Sequence, residues 1–536
     1  MAFAALIHVK TSKMNDVVVI GGGHNGLAAA AFLAKAGFKT LVLERGDRVG
    51  GAARTSEIAP GFRCSTLAHA AAIDPAIARA LALDRHGLQI IRPDVDVCAI
   101  GGARPLTLWH DTARAASEVA AHSADDAIRY PQFIDTFGRI SRVLRSVLAA
   151  IPPSIDDPSA GDLIELLKTG RAFRSLGKAD GYRLLRWAPM AVADFAAEWF
   201  QDESLRAALA GGGILGSFLG PWSAGSTAVL LLLGASEGHP FASGWFAKGG
   251  IGTVADALAG AARQAGVDIR TGVDVAQITV NGETATGVTL TSGEVIEAKT
   301  VVSNLDPRRT LLGLIDPMYL DPEFVRRVQN IRAHGTLAKI NYAVSAAPRF
   351  AGVAPAALTG RVRIATDIDG IERAFDAAKY GRFSDEPWIE LTVPSLLDPT
   401  LAPSNQHVVS AYVQYAPYHL RGTTWDAERE RLANAATALI ERHAPGFTSS
   451  IAARETITPL DLERRYGMTG GHIFHGELSL DQLFVSRPIL GWSRYATPIR
   501  NLYLCGSGTH PGTGLTARSG ALAAREIIRG LSKVRR

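Results

Sequence analysis

Short runs of apolar, mostly β-branched residues alternate along this chain with longer segments in which apolar residues recur every three or four positions. VVVI at 17–20 and TLVL at 40–43 have the composition of buried strands, and the alanine-rich segment between them predicts a helix that ends at Gly37. Further strands are predicted in VDIRTGVDVAQITV (267–280) and VIEAKTVVSNLDP (295–307). This alternation of strands and helices is typical of an α/β fold with a parallel sheet.

Two long segments interrupt this pattern. Residues 76–244 are mostly helical, because apolar residues lie three and four positions apart in stretches such as ADDAIRYPQFIDTFGRISRVLRSVL (124–148) and SLRAALA (204–210). Residues 306–494 combine an amphipathic helix, DAERERLANAATALIERHA (426–444), with several strands. The strands are predicted in LAKINYAVS (337–345), WIELTV (388–393) and HVVSAYVQYA (407–416). We expect these segments to form a second, α+β unit.

Three glycines follow the first strand in the spacing of a dinucleotide-binding turn. Gly21 permits the tight turn, Gly23 lets backbone N–H groups approach a pyrophosphate, and Gly26 lets the helix pack closely on the strand. The second strand ends at Glu44, whose carboxylate can accept hydrogen bonds from a ribose. Because strand, glycines, helix, strand and acid occur in this order, the sequence predicts a Rossmann-like domain that binds an adenine dinucleotide.

Three separate segments resemble the FAD-binding family that includes amine oxidases and phytoene desaturases. They are RVGG (48–51), KGGIG (248–252) and NLYLCGSGTHPGTGLTARSG (501–520). The resemblance implies a noncovalently bound FAD and an FAD-dependent oxidoreductase. It also implies that the FAD-binding domain is discontinuous, assembled from residues 14–75, 245–305 and 495–530, with residues 76–244 and 306–494 forming an inserted α+β substrate domain.

The same resemblance assigns further cofactor contacts. The pyrophosphate and ribityl chain are expected along Gly50 and Gly51, and the adenine against the backbone near Val275. The glycine-rich end of the closing segment, with Gly506 and Gly514, is expected to face the ribityl and phosphate groups.

A narrower resemblance points to one branch of the phytoene desaturase group. HNGL (24–27), IFHGE (473–477) and LDQL (480–483) are similar to the branch that contains pyridine nucleotide-disulphide oxidoreductase domain-containing protein 2. The chain departs from the wider group at Ala52, where phytoene desaturases and amine oxidases usually have arginine; Arg54 lies two residues further on.

Composition and charge exclude several other classes of protein. Hydrophobic residues form 47% of the chain and charged residues 20%, as in a folded globular enzyme. The net charge of +5 is small for 536 residues, and no basic block alternates with aromatic residues, so nucleic-acid binding has no support. Cys64, Cys98 and Cys505 are far apart and include no C-x-x-C pair, which argues against zinc binding and against dithiol–disulfide chemistry.

No targeting signal is recognisable. Residues 2–9 are apolar, but Lys10 and Lys13 follow this run instead of preceding it, and Met14 could be the true start. No continuous apolar span has transmembrane length, since glycines and Pro221 interrupt residues 211–238. We expect a cytoplasmic protein, for which a peripheral membrane contact is compatible with a lipophilic substrate.

Candidate catalytic residues come from segments expected near the flavin, which oxidises its substrate by accepting hydride at N5. His510 lies in the closing segment, where it could touch the flavin or brace a turn. His475 lies in a loop just before that segment, where it could line the substrate pocket or simply pack. His472 and His475 lack a third ligand for a metal, so no metal site is expected. Cys505 is better explained as a small buried side chain on a strand than as a functional thiol.

A second glycine cluster, GGGILG (211–216), also satisfies the dinucleotide spacing. We interpret it instead as part of a kinked, close-packed helix pair beside an apolar pocket, because a helical pattern precedes it and Pro221 follows it. With one dinucleotide fold, electrons are expected to leave to oxygen or a quinone rather than NADP. The substrate is expected to be lipophilic and the reaction a dehydrogenation. The alternative is a non-catalytic binding or regulatory protein on the same fold.

Overall fold

The computed structural model describes residues 14–155, 158, 160–241 and 244–534. The apolar run at 2–9 lies outside the described residues. The strands are β1 (Asn15–Ile20), β2 (Thr40–Leu43), β3 (Thr55–Ala59), β4 (Phe62–Ser65), β5 (Ile90–Ile91), β6 (Val95–Ile100), β7 (Leu106–Trp109), β8 (Phe246–Ala247), β9 (Asp268–Arg270), β10 (Val275–Asn281), β11 (Thr284–Leu290), β12 (Val295–Ser303), β13 (Leu337–Val344), β14 (Arg361–Ile364), β15 (Ile389–Thr392), β16 (His407–Gln414), β17 (Ile451–Ile457) and β18 (Leu502–Leu504).

The α-helices of this part of the chain follow the same order. They are α1 (His24–Lys35), α2 (Pro75–Ala80), α3 (Thr112–Ala120), α4 (Ala124–Leu148), α5 (Ala160–Ser175), α6 (Gly177–Trp187), α7 (Val192–Trp199), α8 (Glu203–Ile214), α9 (Ser226–Glu237), α10 (Gly252–Gln264), α11 (Pro322–Gln329), α12 (Ile368–Lys379), α13 (Trp425–His443), α14 (Phe447–Ser450), α15 (Pro459–Tyr466) and α16 (Arg518–Val534). No described helix is long and apolar enough to cross a membrane.

The first large sheet has the strand order β10-β11-β12-β1-β2-β9, and β18 pairs with the second half of β12. The pairs β12–β1, β1–β2, β2–β9 and β12–β18 are parallel, whereas β10, β11 and β12 form an antiparallel meander. Helices α1, α10 and α16 cover one face, because Val17 and Val19 of β1 point into the same buried cluster as Leu27, Leu258 and Ile527. This confirms the Rossmann-like α/β fold.

The second large sheet has the order β17-β13-β16-β15-β14-β6-β7 and is antiparallel except for the β14–β6 pair. One face packs on helices α4 and α8, through Phe133 and Leu209, and the other on α13, through Leu432. The strands of the two large sheets come from the segments assigned to the FAD-binding and the substrate domain respectively. The domain boundaries themselves stay a prediction.

The glycine cluster at 211–216 does not form a second dinucleotide-binding turn. Gly211, Gly212 and Gly213 lie in the last turn of α8, with no strand before them. A Cβ on Gly212 would lie 2.7 Å from Leu230 Cδ1, and a Cβ on Gly213 would lie 2.9 Å from the carbonyl oxygen of Ser226. The glycines therefore allow α8 and α9 to pack closely, as the helix-pair interpretation predicts.

Candidate functional site

A cleft of about 1800 Å³ runs from the glycine turn after β1 to the second sheet. Of the predicted cofactor-binding residues, those that line it are Gly21, Gly23, Glu44, Gly50, Gly51, Val275 and Gly514. Gly26 and Gly506 lie behind the lining, in close backbone packing. The structure thus brings residues from all three predicted parts of the FAD-binding domain (14–75, 245–305 and 495–530) to one cavity, although none of residues 248–252 lines it.

The turn after β1 has no room for side chains. Gly21 has a φ of +92°, a conformation that favours glycine, and a Cβ on Gly23 would lie 2.7 Å from Asn304 Nδ2. A Cβ on Gly26 would lie 2.2 Å from the carbonyl oxygen of Gly21. Helix α1 begins at this turn with no side-chain cap and no acidic residue in its first turn, so its N–H groups and positive dipole end are left for a bound anion.

The second glycine pair, Gly50 and Gly51, and the glycine turn after β1 together form an open cradle. The Gly50 N–H donates to the carbonyl of Gly22 at 2.8 Å, and Gly50 and Gly51 have φ values of +117° and +57°. Glu44 accepts hydrogen bonds from the N–H groups of Gly22 at 2.8 Å and Gly46 at 2.7 Å. Each carboxylate oxygen keeps a second lone pair that a ribose hydroxyl can use. Side chains at these glycines would fill the cradle, which lies beside the uncapped start of α1. The open cradle therefore fits the pyrophosphate and ribose of FAD.

The histidine loop (residues 472–477) forms one wall of the cleft. His475 lines the cleft, and its Nδ1 is buried without a hydrogen-bond partner among the described residues. His24 also lines the cleft, and its Nε2 is likewise buried without a partner in that part of the chain. Burial lowers the pKa of His475; burial and the nearby His475 lower the pKa of His24 to about 4. Both imidazoles are therefore neutral at pH 7, and each has one buried, unpaired ring nitrogen beside the cleft.

A buried arginine, Arg487, holds this loop against the closing FAD segment. Its guanidinium is 2% exposed and donates to the carbonyl oxygens of Phe474 at 2.7 Å, Glu477 at 3.0 Å and Ser507 at 2.8 Å. Burial lowers its pKa to about 10. Nothing in the local sequence around Arg487 shows that its side chain reaches two other segments, so this role was not predicted.

His510 does not join His475 at the cleft. Its ring is buried, with Nε2 at 3.3 Å from the carbonyl oxygen of Val147 at the end of α4, and burial lowers its pKa to about 3. Of its two predicted roles, this position fits the bracing of a turn. Cys505 is likewise buried, directly after β18, and burial raises the pKa of its thiol.

The wall formed by the second sheet is partly charged, whereas an apolar pocket was expected from the sequence. The His69 ring stacks on Tyr412, with 3.7 Å between ring centroids, and both line the cleft. Arg361 also lines it and bonds to Glu237 at 2.8 Å and to Glu390 at 3.3 Å. Burial would raise the pKa of Glu390, but Arg361 and a second arginine outweigh it and hold that pKa below its usual range.

Apolar side chains complete this end of the cleft. Leu215 and Leu233, at the ends of the helix pair α8 and α9, line it together with Ile473 and Phe474 of the histidine loop. Among the described residues, no group of three or more histidine, cysteine, aspartate or glutamate side chains is arranged to hold a metal ion.

Comparison with known proteins agrees with this geometry. A family model for NAD(P)-binding Rossmann-like domains matches residues 19–82, and one for flavin-containing amine oxidoreductases matches residues 200–528. Pyridine nucleotide-disulfide oxidoreductase domain-containing protein 2 of Rattus norvegicus is 37% identical over 97% of this chain and 94% of its own length. Phytoene desaturase of Neurospora crassa is 24% identical over 94% of this chain and 83% of its own.

Solved structures show the same fold. A putrescine oxidase variant superposes with a TM-score of 0.61 at 15% sequence identity, covering 97% of this chain and 99% of the oxidase. The resemblances to amine oxidases, to phytoene desaturases and to the narrower branch are thereby confirmed.

Proposed function

We propose that this protein, which belongs to the flavin-containing amine oxidoreductase family and is an FAD-dependent oxidoreductase, dehydrogenates a lipophilic small molecule. One observation carries the proposal: the cleft is continuous from the dinucleotide cradle to a wall that contains Leu215, Leu233 and Phe474. Bound FAD supplies the hydride acceptor of such a reaction. Similarity to a phytoene desaturase supports a lipophilic substrate and dehydrogenation rather than group transfer.

The side chains that line the cleft orient the substrate, exclude water and accept a proton from it. The apolar side chains exclude water from the reacting carbon. His475, neutral at pH 7 and with a free Nδ1, is placed to accept a proton if the substrate must lose one. FAD is held noncovalently by backbone groups of the cradle, and electrons leave to oxygen or a quinone. NADP is not expected as the acceptor, because the second glycine cluster lies inside a helix.

Anaerobic spectroscopy tests this function. Purified protein should show the visible absorbance bands of bound flavin, and lipophilic candidates should be mixed with it in the absence of oxygen. A substrate bleaches those bands, and oxygen or a quinone restores them. Failure of every lipophilic candidate, together with rapid and saturable bleaching by NADPH, would contradict the proposal and reopen the question of a nicotinamide site.

A further inference from the structure

A second cavity, of about 910 Å³, lies beside the flavin cleft and shares Ala72 and Glu237 with it. Three guanidinium groups line this cavity, those of Arg92, Arg145 and Arg518. They come from three distant parts of the chain, so the clustering arises only in the folded protein.

Of the three arginines of the second cavity, Arg518 alone has a carboxylate partner among the described residues. Within the described residues, Arg92 and Arg145 have no carboxylate at ion-pair distance, and Arg92 instead lies over the Trp245 ring at 4.2 Å. Arg518 donates from Nε to Asp74 at 2.5 Å, while its Nη1 is buried without a hydrogen-bond partner. Arg518 is only 7% exposed, and leaving a buried cation partly unpaired is costly.

Two of the acidic groups near this cavity are already engaged. Glu237 pairs with Arg361 at 2.8 Å. Asp96 lies between two histidines, with 3.2 Å to His110 Nδ1 and 3.0 Å to His239 Nδ1. The lining therefore carries a surplus of positive charge. Burial and the charges of Arg518 and Arg142 lower the pKa of Arg145, which agrees with repulsion between Arg145 and Arg518.

The second cavity borders the flavin site. Ala72 and Glu237 line both, and Ser236 of the second cavity donates from Oγ at 2.9 Å to Thr513 Oγ1, which lines the flavin cleft in the closing FAD segment. A ligand held among the arginines therefore lies next to the flavin cleft.

We propose that Arg92, Arg145 and Arg518 bind the anionic group, a carboxylate or phosphate, of an amphiphilic substrate whose apolar part extends past Ala72 into the flavin cleft. Guanidinium groups suit this task because they form paired, charge-assisted hydrogen bonds with such anions. The inference rests on the proposed function and refines its substrate class from lipophilic to lipophilic with an acidic end.

Binding to the FAD-loaded protein tests this site without turnover. Decanoate, decyl phosphate and neutral 1-decanol are titrated while the flavin spectrum and the heat of binding are recorded. At least one anion should bind about tenfold or more tightly than decanol, as expected for hydrogen bonds to charged groups. Which anion binds more tightly distinguishes carboxylate from phosphate.

Substitutions of single arginines then test whether these residues supply the affinity for the anion. Arg145→Met should weaken binding of the anion by about tenfold, whereas Arg129→Met, at an exposed arginine near the other end of α4, should leave it unchanged. Equal affinity for decanol and both anions, no saturable binding of either anion, or unchanged affinity in both Arg145→Met and Arg92→Met would overturn the proposal. The proposed oxidation is judged separately by flavin bleaching, so the two can fail independently.

A second, independent observation concerns the surface of α5 and α6. Large apolar side chains are exposed on both helices, five on α5 and two on α6: Leu163, Ile164, Leu166, Leu167, Phe173, Tyr182 and Leu185, each between 36% and 72% exposed. Clustered exposed apolar residues of this kind mark an interaction surface.

Positive charge accompanies this apolar surface. Arg171, Arg174 and Lys178 lie on the same two helices and have no ion pair with any described residue, whereas Lys168 pairs with Glu165. Apolar side chains beside unpaired cations suit a lipid surface with anionic headgroups. We propose that α5 and α6 bind the surface of an anionic phospholipid membrane without crossing it.

Vesicle sedimentation tests this surface. The FAD-loaded protein should sediment with vesicles of phosphatidylcholine and phosphatidylglycerol, and Leu163→Glu/Leu167→Glu should abolish this. Met318→Glu, at an apolar residue that is 76% exposed elsewhere, is the matched control and should still sediment. Absence of sedimentation of the unchanged protein would refute the proposal. A second outcome would also refute it: the unchanged protein is a dimer, and Leu163→Glu/Leu167→Glu dissociates the dimer without affecting vesicle binding. The surface would then bind a second copy of the chain.

Discussion

At the residue scale, the two predicted catalytic histidines have different surroundings and should behave differently when replaced. His475 lines the cleft with a free Nδ1, whereas His510 braces α4. His475→Ala should retain FAD but slow flavin reduction by the identified substrate about 100-fold, the low end for loss of a general base. His510→Asn should leave the reduction rate close to normal. Stopped-flow reduction measures both, and an unchanged rate in His475→Ala would remove this side chain from the reaction.

Buried neutral histidines should also make the fold acid-sensitive. The pKa of His510 is lowered from 6.5 to about 3 in the folded protein. Between pH 6.5 and pH 3 this imidazole therefore binds a proton in the unfolded chain but not in the folded one. Its contribution to stability is therefore unaffected above pH 7 and is lost progressively as the pH falls. At pH 5 the loss is about 2 kcal/mol.

His510→Asn should accordingly reduce the difference in Tm between pH 7.5 and pH 5. His419→Asn, at an exposed histidine, is the control and should keep the full difference. Equal pH dependence in the two variants would show that His510 is not the group responsible.

At the element scale, the glycines of α8 are explained by packing rather than by a nucleotide. Gly213→Ala should destabilise the protein by about 1–3 kcal/mol, because its Cβ would press on the carbonyl oxygen of Ser226 and on Val192. Gly138→Ala, inside α4 where no atom lies within 4 Å of the added Cβ, should instead stabilise it. Thermal unfolding measures both, and the flavin content should be unchanged. A stabilising Gly213→Ala would contradict the packing explanation.

The histidine loop depends on a single side chain from another segment. Arg487→Met removes the donors to Phe474, Glu477 and Ser507 and leaves buried carbonyl groups without partners, at about 1–3 kcal/mol for a group left unsatisfied. We expect weaker FAD binding and faster proteolysis within the loop. Arg326→Met, at an exposed arginine that pairs with Glu323 on its own helix, is the control. Normal FAD affinity and proteolysis in Arg487→Met would show that the loop is held by other contacts.

At the scale of the whole molecule, the cleft joins the two large sheets, since Gly23 follows β1 and Tyr412 lies on β16. FAD bound there should stabilise the entire fold, by about 2.7 kcal/mol at a free concentration of 100 times its Kd. Adding FAD to the apoprotein should therefore raise Tm in a concentration-dependent way. Gly23→Val, whose side chain would collide with Asn304, should abolish this shift and yield colourless protein. Stoichiometric flavin in Gly23→Val would show that the turn is misassigned.

The sequence by itself determined the parts of the protein that depend on short-range patterns. Strand β2 and helix α4 have the predicted limits, and the glycine turn with Glu44 forms as expected, because strand composition, helical spacing and glycine positions act over a few neighbouring residues. The resemblance to a known family supplied the more distant FAD segments.

Only the tertiary structure decided which side chains meet at the site. It brought His475 to the cleft and left His510 outside its lining, and it packed Gly212 and Gly213 against α9. It also gathered Arg92, Arg145 and Arg518 around one cavity. These side chains are far apart in the chain, and burial and long-range packing, which local sequence does not encode, determine their charge state and their neighbours.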